Sequence, residues 1–304
     1  MKFTLALPDG YRLHDVLAFH SRDTESVAEQ VGTERLRKGV LLDGVPTVLD
    51  IAFDFAPRGK RTSASARCEV LADGALTPAL EAQARDAITS ILGLHIDPQP
   101  FLDFARDDAL LGALTLRQPG LRIVQSATVF EALTWAITGQ QINLSFAIAL
   151  RRTFIQLAGR QHSSGLWCYP SAADVAKLDL EQLTSRKFSR AKAETLLRLA
   201  RLIASGELAL DVTPTRSIAD ISAALLAVKG IGPWTVNYGL LRGYGYADCS
   251  LHGDVAIRTA LHKLIGGDER PSIAETETIL QRYQPHRTMA AAHLWASLHP
   301  RDDA

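Results

Sequence analysis

Residues 221–265 read ISAALLAVKGIGPWTVNYGLLRGYGYADCSLHGDVAIRTALHKLI, and this stretch decides the fold of the carboxyl-terminal part of the chain. Ile221 and Leu225 lie about one helical turn apart, which predicts an amphipathic helix. The segment 229–232, Lys-Gly-Ile-Gly, breaks the helical pattern. Pro233 suits the first turn of a new helix, where its missing N–H is not needed. The stretch therefore predicts two helices joined by a short glycine-containing hairpin.

The two glycines of this hairpin make it a candidate phosphate-binding site. Gly230 and Gly232 can both adopt a positive φ, and neither places a side chain between the backbone and a ligand. Backbone N–H groups at the start of the second helix could then approach a phosphate closely, without any net positive charge on the protein. A plain helix-to-helix turn explains the same glycines equally well.

A further amphipathic helix begins directly after Asp254. An aspartate at that place predicts an N-cap. Alternatively, its carboxylate faces a pocket in which positive charge develops, and the helix dipole favours the negative charge there. Trp234 and Tyr238, one helical turn apart, supply aromatic surface on the second hairpin helix.

The first third of the chain has a different pattern. Apolar stretches there are separated by Asp-Gly pairs, which predict tight turns between antiparallel strands. Beyond residue 126 the apolar residues recur every three and four positions, which predicts helices. The predicted fold class is α+β, in two domains. These are residues 1–112, with an antiparallel sheet and helices near 79–94 and 98–106, and residues 113–304, an all-helical region containing the hairpin at about 221–242.

Composition and charge exclude several classes of protein. Lys and Arg together number 33, as do Asp and Glu, so a polyanionic partner must be bound by a local patch. Three widely separated cysteines exclude a disulfide framework and suit a reducing cytoplasm. No histidine pair shows the spacing of a metalloprotease, so we expect no metal site. The start of the chain lacks a signal-peptide core and no apolar run spans a bilayer, so we expect a cytoplasmic protein that does not bind membranes.

The hairpin and the aspartate after it carry a family resemblance. The unit Gly-Ile-Gly-Pro-Trp-Thr-Val-Asn-Tyr at 230–238, followed by Gly253-Asp254, resembles the signature of the helix-hairpin-helix DNA glycosylases. Within that superfamily the sequence of this unit is similar to that of the DNA-3-methyladenine glycosylase II family. Other segments fall in the same order as in that family: Pro119 to Arg122, Gly139-Gln140, Arg190 to Leu196, and Pro285 to Trp295. The resemblance covers essentially the full chain, strongly after residue 119 and in outline before it.

The resemblance implies a catalytic carboxylate at Asp254. It also implies that Trp234, Tyr238 and Trp295 form the aromatic pocket around a base rotated out of the duplex. Such a pocket suits an alkylated, cationic base, since aromatic faces attract cations by about 0.5–2 kcal/mol per contact. In this sequence Gly253 replaces the acidic residue that precedes the catalytic one in the family, which leaves Asp254 as the only carboxylate at that helix start.

The resemblance also assigns the contacts with DNA. Gly230, Ile231 and Gly232 match the hairpin that holds the DNA backbone, where members of the superfamily sometimes bind a monovalent cation. Lys229 lies beside that hairpin, where it contacts a phosphate or is simply solvated. The loop that fills the gap left by the extruded nucleotide matches Gln140, Gln141 and Ile142. The family places a leucine where Gln141 aligns, so either Gln141 or Ile142 takes the wedge role.

The function implied is that of a monofunctional glycosylase acting on alkylated purines of the 3-methyladenine and 7-methylguanine type. It would flip the base out, hydrolyse the N-glycosidic bond and leave an abasic site for base excision repair. Family members that also cut the strand use a lysine where this chain has Trp234. We expect a monomer that binds double-stranded DNA at the nucleoid and needs no cofactor. A non-catalytic DNA-binding protein, or a glycosylase for deaminated or oxidised bases, remains an alternative.

Overall fold

The amino-terminal part is an antiparallel sheet, as the sequence predicts. The computed structural model describes residues 1–58 and 61–298. Five strands form the sheet in the order β1-β5-β4-β3-β2. They are β1 (Lys2–Leu7), β2 (Glu29–Val31), β3 (Arg35–Leu42), β4 (Val45–Arg58) and β5 (Arg61–Ala72). Asp43 and Gly44 connect β3 to β4 with φ values of 48° and 72°, the left-handed pair that a two-residue hairpin turn requires.

Helices occupy most of the remaining chain, which confirms the α+β fold class. The helices in the amino-terminal half are α1 (Leu13–His20), α2 (Pro78–Ile91), α3 (Gln99–Ala105), α4 (Gly112–Leu116), α5 (Val129–Gly139) and α6 (Leu144–Ala158). Those that follow are α7 (Ala172–Val175), α8 (Leu180–Thr184), α9 (Arg190–Ala204), α10 (Ile218–Leu226), α11 (Pro233–Gly239), α12 (Val255–Ile265), α13 (Ile273–Gln281) and α14 (Arg287–Ser297). One π-helical turn, Leu240–Tyr244, continues α11. Within the described residues, no helix combines the length and apolar character needed to cross a bilayer.

A small β-ribbon interrupts the helical region, so the expectation that no strand follows residue 126 is wrong there. It consists of β6 (Arg160–Gln161) and β7 (Trp167–Cys168), which pair antiparallel. Strands of two residues are too short to show a sequence period, which is why the pattern missed them. The ribbon packs on the edge of β3, where a Cβ at Gly39 would lie 2.1 Å from the carbonyl oxygen of Trp167.

Two hydrophobic cores organise the molecule. One lies between the sheet and α2. The other unites the helices, and it includes Phe101 of α3 and Leu111, the residue before α4, although both precede residue 113. The predicted boundary between residues 112 and 113 stays a prediction.

A buried ion cluster fixes the sheet to the helices. The Nζ atom of Lys38, in β3, lies 2.6 Å from Glu29 Oε1 and 2.8 Å from Glu131 Oε1, and Lys38 is only 1% exposed. Arg151, in α6, bonds the same two carboxylates. Burial by itself would raise the pKa of Glu29, but Arg151 and Lys38 together hold it well below its ordinary value. Because unpaired buried charges are costly, this cluster fixes how the sheet sits against α5 and α6.

Candidate active site

The predicted hairpin forms between α10 and α11, and its two glycines have different conformations. Gly230 has a φ of +98°, and a Cβ there would lie 2.1 Å from Oγ1 of Thr195 in α9. Gly232 is the N-cap of α11 with φ −106° and ψ 177°, an extended conformation open to any residue. The expectation of a positive φ at both glycines is therefore wrong for Gly232. A Cβ at Gly232 would meet no protein atom within 4 Å, so the fold does not require glycine at that position.

The hairpin offers free backbone donors at the surface. The Ile231 N–H is used within the turn, where it donates to the Val228 carbonyl oxygen at 3.0 Å. The N–H groups of Gly230 and Gly232 have no acceptor within residues 1–58 and 61–298. Lys229 is exposed beside them. Two unpaired N–H groups at the start of a helix, next to a lysine, can bind the oxygens of a phosphate.

The monovalent cation that the resemblance implies at this hairpin stays a prediction. The carbonyl oxygen of Lys229 accepts a hydrogen bond from the Arg198 guanidinium at 2.9 Å, so a cation there would face a positive charge. The Val228 carbonyl already accepts from Ile231. In the described part of the chain no group of three His, Cys, Asp or Glu side chains could hold a metal ion.

Asp254 is the N-cap of α12, as its position in the sequence predicts. Its Oδ1 accepts from the backbone N–H groups of Ala256 and Ile257 at 2.9 and 3.0 Å. Two indole N–H groups also donate to the carboxylate at 3.1 Å, that of Trp295 to Oδ1 and that of Trp234 to Oδ2. The side chain is half-buried. Four donors from three elements thus hold one carboxylate in a single orientation.

The three predicted aromatic residues surround this carboxylate. Trp234 stacks on Tyr238 with ring centroids 5.2 Å apart and an interplanar angle of 30°. The Tyr238 and Trp295 centroids are 6.5 Å apart at 58°. The Tyr238 hydroxyl accepts from the indole N–H of Trp135 at 3.0 Å. The structure therefore brings Asp254, Trp234, Tyr238 and Trp295 together, with the two indole rings half-buried beside a fixed negative charge and the Tyr238 ring buried. The group is called the aromatic cleft below.

Four residues of this cleft were missed by the sequence analysis. The Arg242 guanidinium lies 4.9 Å from the Phe19 ring centroid, 5.3 Å from that of Trp295 and 5.9 Å from that of Tyr238. The Arg22 guanidinium lies 4.2 Å from the Phe19 ring. No local pattern indicates these contacts, because Phe19 and Arg22 come from the end of α1 and its following loop. Trp135 lies in α5, where nothing in the apolar pattern distinguishes it from a core residue.

The loop between α5 and α6 separates the three candidate wedge residues. Gln140 Nε2 donates to Thr235 Oγ1 at 2.9 Å and to the Gly230 carbonyl at 3.4 Å, so this side chain is tied to the hairpin. Ile142 packs against the helical core. Gln141 is exposed with φ +55°, the conformation of a turn tip. Of the three, Gln141 has the side chain that is free to project from the surface.

Comparisons with known proteins agree with this geometry. A family model described as HhH-GPD superfamily base excision DNA repair protein matches residues 134–286. Over 209 residues the chain is 31% identical to a Bacillus subtilis protein named DNA-3-methyladenine glycosylase, covering 68% of this chain and 69% of that one. It is 28% identical over 187 residues to the Escherichia coli DNA-3-methyladenine glycosylase 2, covering 61% and 63%. The chain thus spans about two thirds of the length of these curated relatives.

Solved structures share the whole fold. A 3-methyladenine DNA-glycosylase from Archaeoglobus fulgidus superposes with a TM-score of 0.77 at 22% identity, with 97% of both chains covered. An 8-oxoguanine glycosylase/lyase from Clostridium acetobutylicum, in complex with double-stranded DNA, superposes with a TM-score of 0.70 at 12% identity over 97% of both chains. At these identities the likeness is one of fold. It covers the amino-terminal sheet as well as the helices.

Proposed function

Because the chain belongs to the HhH-GPD superfamily of base excision DNA repair proteins, we propose that it is a monofunctional DNA glycosylase for alkylated purines. It extrudes bases of the 3-methyladenine and 7-methylguanine type from duplex DNA and hydrolyses the N-glycosidic bond, which leaves an abasic site. The observation that carries this proposal is the Asp254 carboxylate, held by the indole N–H groups of Trp234 and Trp295 beside the stacked Tyr238.

The aromatic cleft offers an extruded base a stacking surface in place of the one it loses in the duplex. A base cannot be attacked at its sugar bond while it is stacked in the duplex, so the enzyme must offer it another stacking surface. Trp234 and Trp295, which are half-buried, can offer such faces beside the carboxylate, and the buried Tyr238 ring stacks on Trp234. Alkylated purines have weakened glycosidic bonds and pair poorly, which lowers the cost of extrusion. The cleft therefore needs only modest selectivity of its own.

Asp254 supplies the electrostatic part of the reaction. As the glycosidic bond breaks, the sugar becomes oxocarbenium-like and carries positive charge, which a fixed carboxylate stabilises. Oδ2 accepts only the Trp234 indole N–H within the described residues, so this oxygen retains lone pairs for the sugar or for an attacking water. A carboxylate held by four donors needs no reorganisation when the charge develops.

The sequence of α11 supports the proposal that no lyase step occurs. A Schiff base requires an amine beside the sugar. Helix α11 reads PWTVNYG and contains no lysine, and Trp234 occupies the position at which strand-cutting family members carry one. Lys229 lies on the other side of the turn. The products we expect are a free base and an intact strand with an abasic site.

The proposed function also includes contacts with DNA, a monomeric state and a cytoplasmic location. The N–H groups of Gly230 and Gly232, with Lys229, contact the phosphate backbone, and Gln141 fills the gap left by the extruded nucleotide. All four cleft residues come from one chain, which suits a monomer. Cys68, Cys168 and Cys249 are free and buried, which suits action on DNA in a reducing cytoplasm.

The test is base release from methylated duplex DNA, measured by mass spectrometry. The wild type is expected to release 3-methyladenine or 7-methylguanine and to leave strands that break only on treatment with alkali. Asp254→Asn should bind DNA and release almost nothing, whereas Asp268→Asn, at an exposed carboxylate after α12, should act like wild type. Strand breaks without alkali would contradict the monofunctional assignment. Binding without release by the wild type would contradict the alkylated-base assignment, and deaminated and oxidised bases would be tested next.

A further inference from the structure

Helix α9 contacts both of the loops that the proposed function places on DNA. Lys192, Thr195 and Arg198 lie three residues apart along it, so they are neighbours on its surface. Gly230 lies against Thr195, since a Cβ on the glycine would come within 2.1 Å of the threonine Oγ1. The Arg198 guanidinium donates to the Lys229 carbonyl oxygen at 2.9 Å. Two of the three residues therefore hold the hairpin between α10 and α11.

The third residue holds the loop between α5 and α6, residues 140–143, which we call the insertion loop. Lys192 Nζ donates to the Thr138 carbonyl oxygen at 2.8 Å. That carbonyl belongs to the last turn of α5, where backbone oxygens lack a partner within the helix. Within residues 1–58 and 61–298 the Lys192 ammonium group has no other hydrogen bond and no ion pair. The bond of this lysine therefore fixes the point at which the insertion loop begins.

A second bond ties the insertion loop to the hairpin. Gln140 Nε2 donates to Thr235 Oγ1 at 2.9 Å and to the Gly230 carbonyl oxygen at 3.4 Å. Gln141 comes next and is exposed with φ +55°, so the tip of the loop directly follows two fixed points. Because α9 holds the hairpin as well, one connected unit sets the distance between the hairpin N–H groups and this tip.

We propose that Lys192 is a positioning residue for base extrusion, because its bond to Thr138 holds the Gln141 tip at a fixed distance from the phosphate-binding hairpin. A duplex bound at the hairpin then meets the tip where the rotated nucleotide leaves its gap. A side chain inserted between base steps stabilises unstacked DNA. This inference rests on the proposed function, which places the hairpin on the DNA backbone and Gln141 in the gap.

Loss of the bond should slow the reaction mainly where extrusion is costly. Opposite cytosine, a 7-methylguanine must lose its base pair before it is extruded, whereas opposite an abasic spacer it has no pair to lose. Lys192→Met removes the donor and keeps an unbranched side chain. At saturating protein, single-turnover base release from the paired duplex is expected to fall by about tenfold, the size of a lost hydrogen bond from a charged group, and release opposite the spacer by less than about threefold.

The matched control lies on the same helix. Arg201 also donates from α9 to a backbone carbonyl, that of Leu178 at 3.1 Å, which lies between α7 and α8 and belongs to neither DNA-binding loop. Arg201→Met should keep the wild-type ratio of the two release rates. Lys192→Arg keeps a donor and should recover most of the paired rate. Melting curves followed by circular dichroism establish that each variant is folded.

Gln140→Leu keeps the inference testable if Lys192→Met does not fold. It removes the tie between the insertion loop and the hairpin and leaves the Lys192 bond in place, so it should show the same selective loss with the paired duplex. Equal losses in the two duplexes, or no loss, overturn the positioning role and leave the proposed function standing. If the wild type releases 7-methylguanine from neither duplex, the proposed substrate class is wrong and the inference falls with it.

Discussion

Gly230 is at a position of the hairpin where the backbone conformation and the packing both favour glycine. Its φ is +98°, and a Cβ there would lie 2.1 Å from Oγ1, 3.0 Å from Cγ2 and 3.1 Å from Cβ of Thr195. Both branches of the threonine are close, so rotating its side chain cannot clear the contact. We therefore expect Gly230→Ala to destabilise the protein, quite apart from any effect on DNA.

The size of the effect follows from two terms. An alanine in the left-handed region costs about 1–2 kcal/mol. Forcing an extra carbon into packed atoms costs about 1–3 kcal/mol more. The free energy of unfolding should fall by about 2–5 kcal/mol, the sum of these terms. For a chain of 304 residues that unfolds as one unit, with an entropy of about 2.1 cal/mol/K per residue, this lowers Tm by about 3–8 °C.

A double-mutant cycle separates the two terms, with melting followed by circular dichroism. Thr195→Ala removes the contacts with Oγ1 and Cγ2 but keeps the 3.1 Å contact with Cβ and the backbone strain. The double variant should therefore recover only part of the stability lost in Gly230→Ala. Thr195→Ala alone loses its hydrogen bond to the Ala191 carbonyl and serves as the reference. The reasoning is refuted if Gly230→Ala melts at the wild-type temperature, or if Thr195→Ala gives no recovery in the double variant.

Three other changes test the site and the core. Gly232→Ala should lower Tm by only about 1 °C, the cost of a poorer N-cap in a chain of this size, because among the described residues a Cβ there meets no atom beyond its chain neighbours within 4 Å. It should nevertheless weaken binding to undamaged duplex in a titration where Gly32→Ala does not; unaltered affinity would remove Gly232 from the DNA contact. Trp295→Phe keeps the ring but loses the N–H donated to Asp254, so single-turnover base release should slow by about tenfold, while Trp167→Phe should match the wild type. His293 is buried, and burial followed by the charge of Arg12 lowers its pKa to about 4. The unfolded chain therefore binds a proton that the native state excludes, and the free energy of unfolding should drop by about 3 kcal/mol as pH falls from 6.5 towards 4. In urea titrations His293→Leu should lack this part of the pH dependence. The same change with pH in wild type and His293→Leu would contradict the assignment.

Features that depend on neighbours in sequence could be predicted. The Asp43–Gly44 turn, the caps at Thr77 and Asn143 and the break at 229–232 each follow from local chemistry, and each is present. These signals are strong because a cap or a turn is satisfied within a few residues.

Features that depend on distant contacts could not be predicted. Phe19 meets Arg242, and Trp135 meets Tyr238, across long stretches of chain, and nothing in their own segments marks them. Their positions are set by the packing of the sheet on α5 and α6, where Lys38 joins Glu29 to Glu131. The amino-terminal third shows no catalytic pattern of its own, yet through this packing it supplies a wall of the cleft. A sequence pattern can therefore identify Asp254 more readily than the residues that surround it in space.

Asp254 shows why the structural and the catalytic interpretations of one residue need not compete. An N-cap and a reacting carboxylate look like alternatives in the sequence, because either role explains an aspartate before an apolar helix. In the structure the cap uses one carboxylate oxygen and leaves the other for the proposed reaction. Oδ1 accepts the two backbone N–H groups of the cap and the Trp295 indole, which fixes the side chain. Oδ2 accepts the Trp234 indole alone within the described residues, and so it is the oxygen available to the sugar or to water. Capping thus provides the fixed orientation that electrostatic stabilisation of a charged transition state requires, and the site depends on the cap.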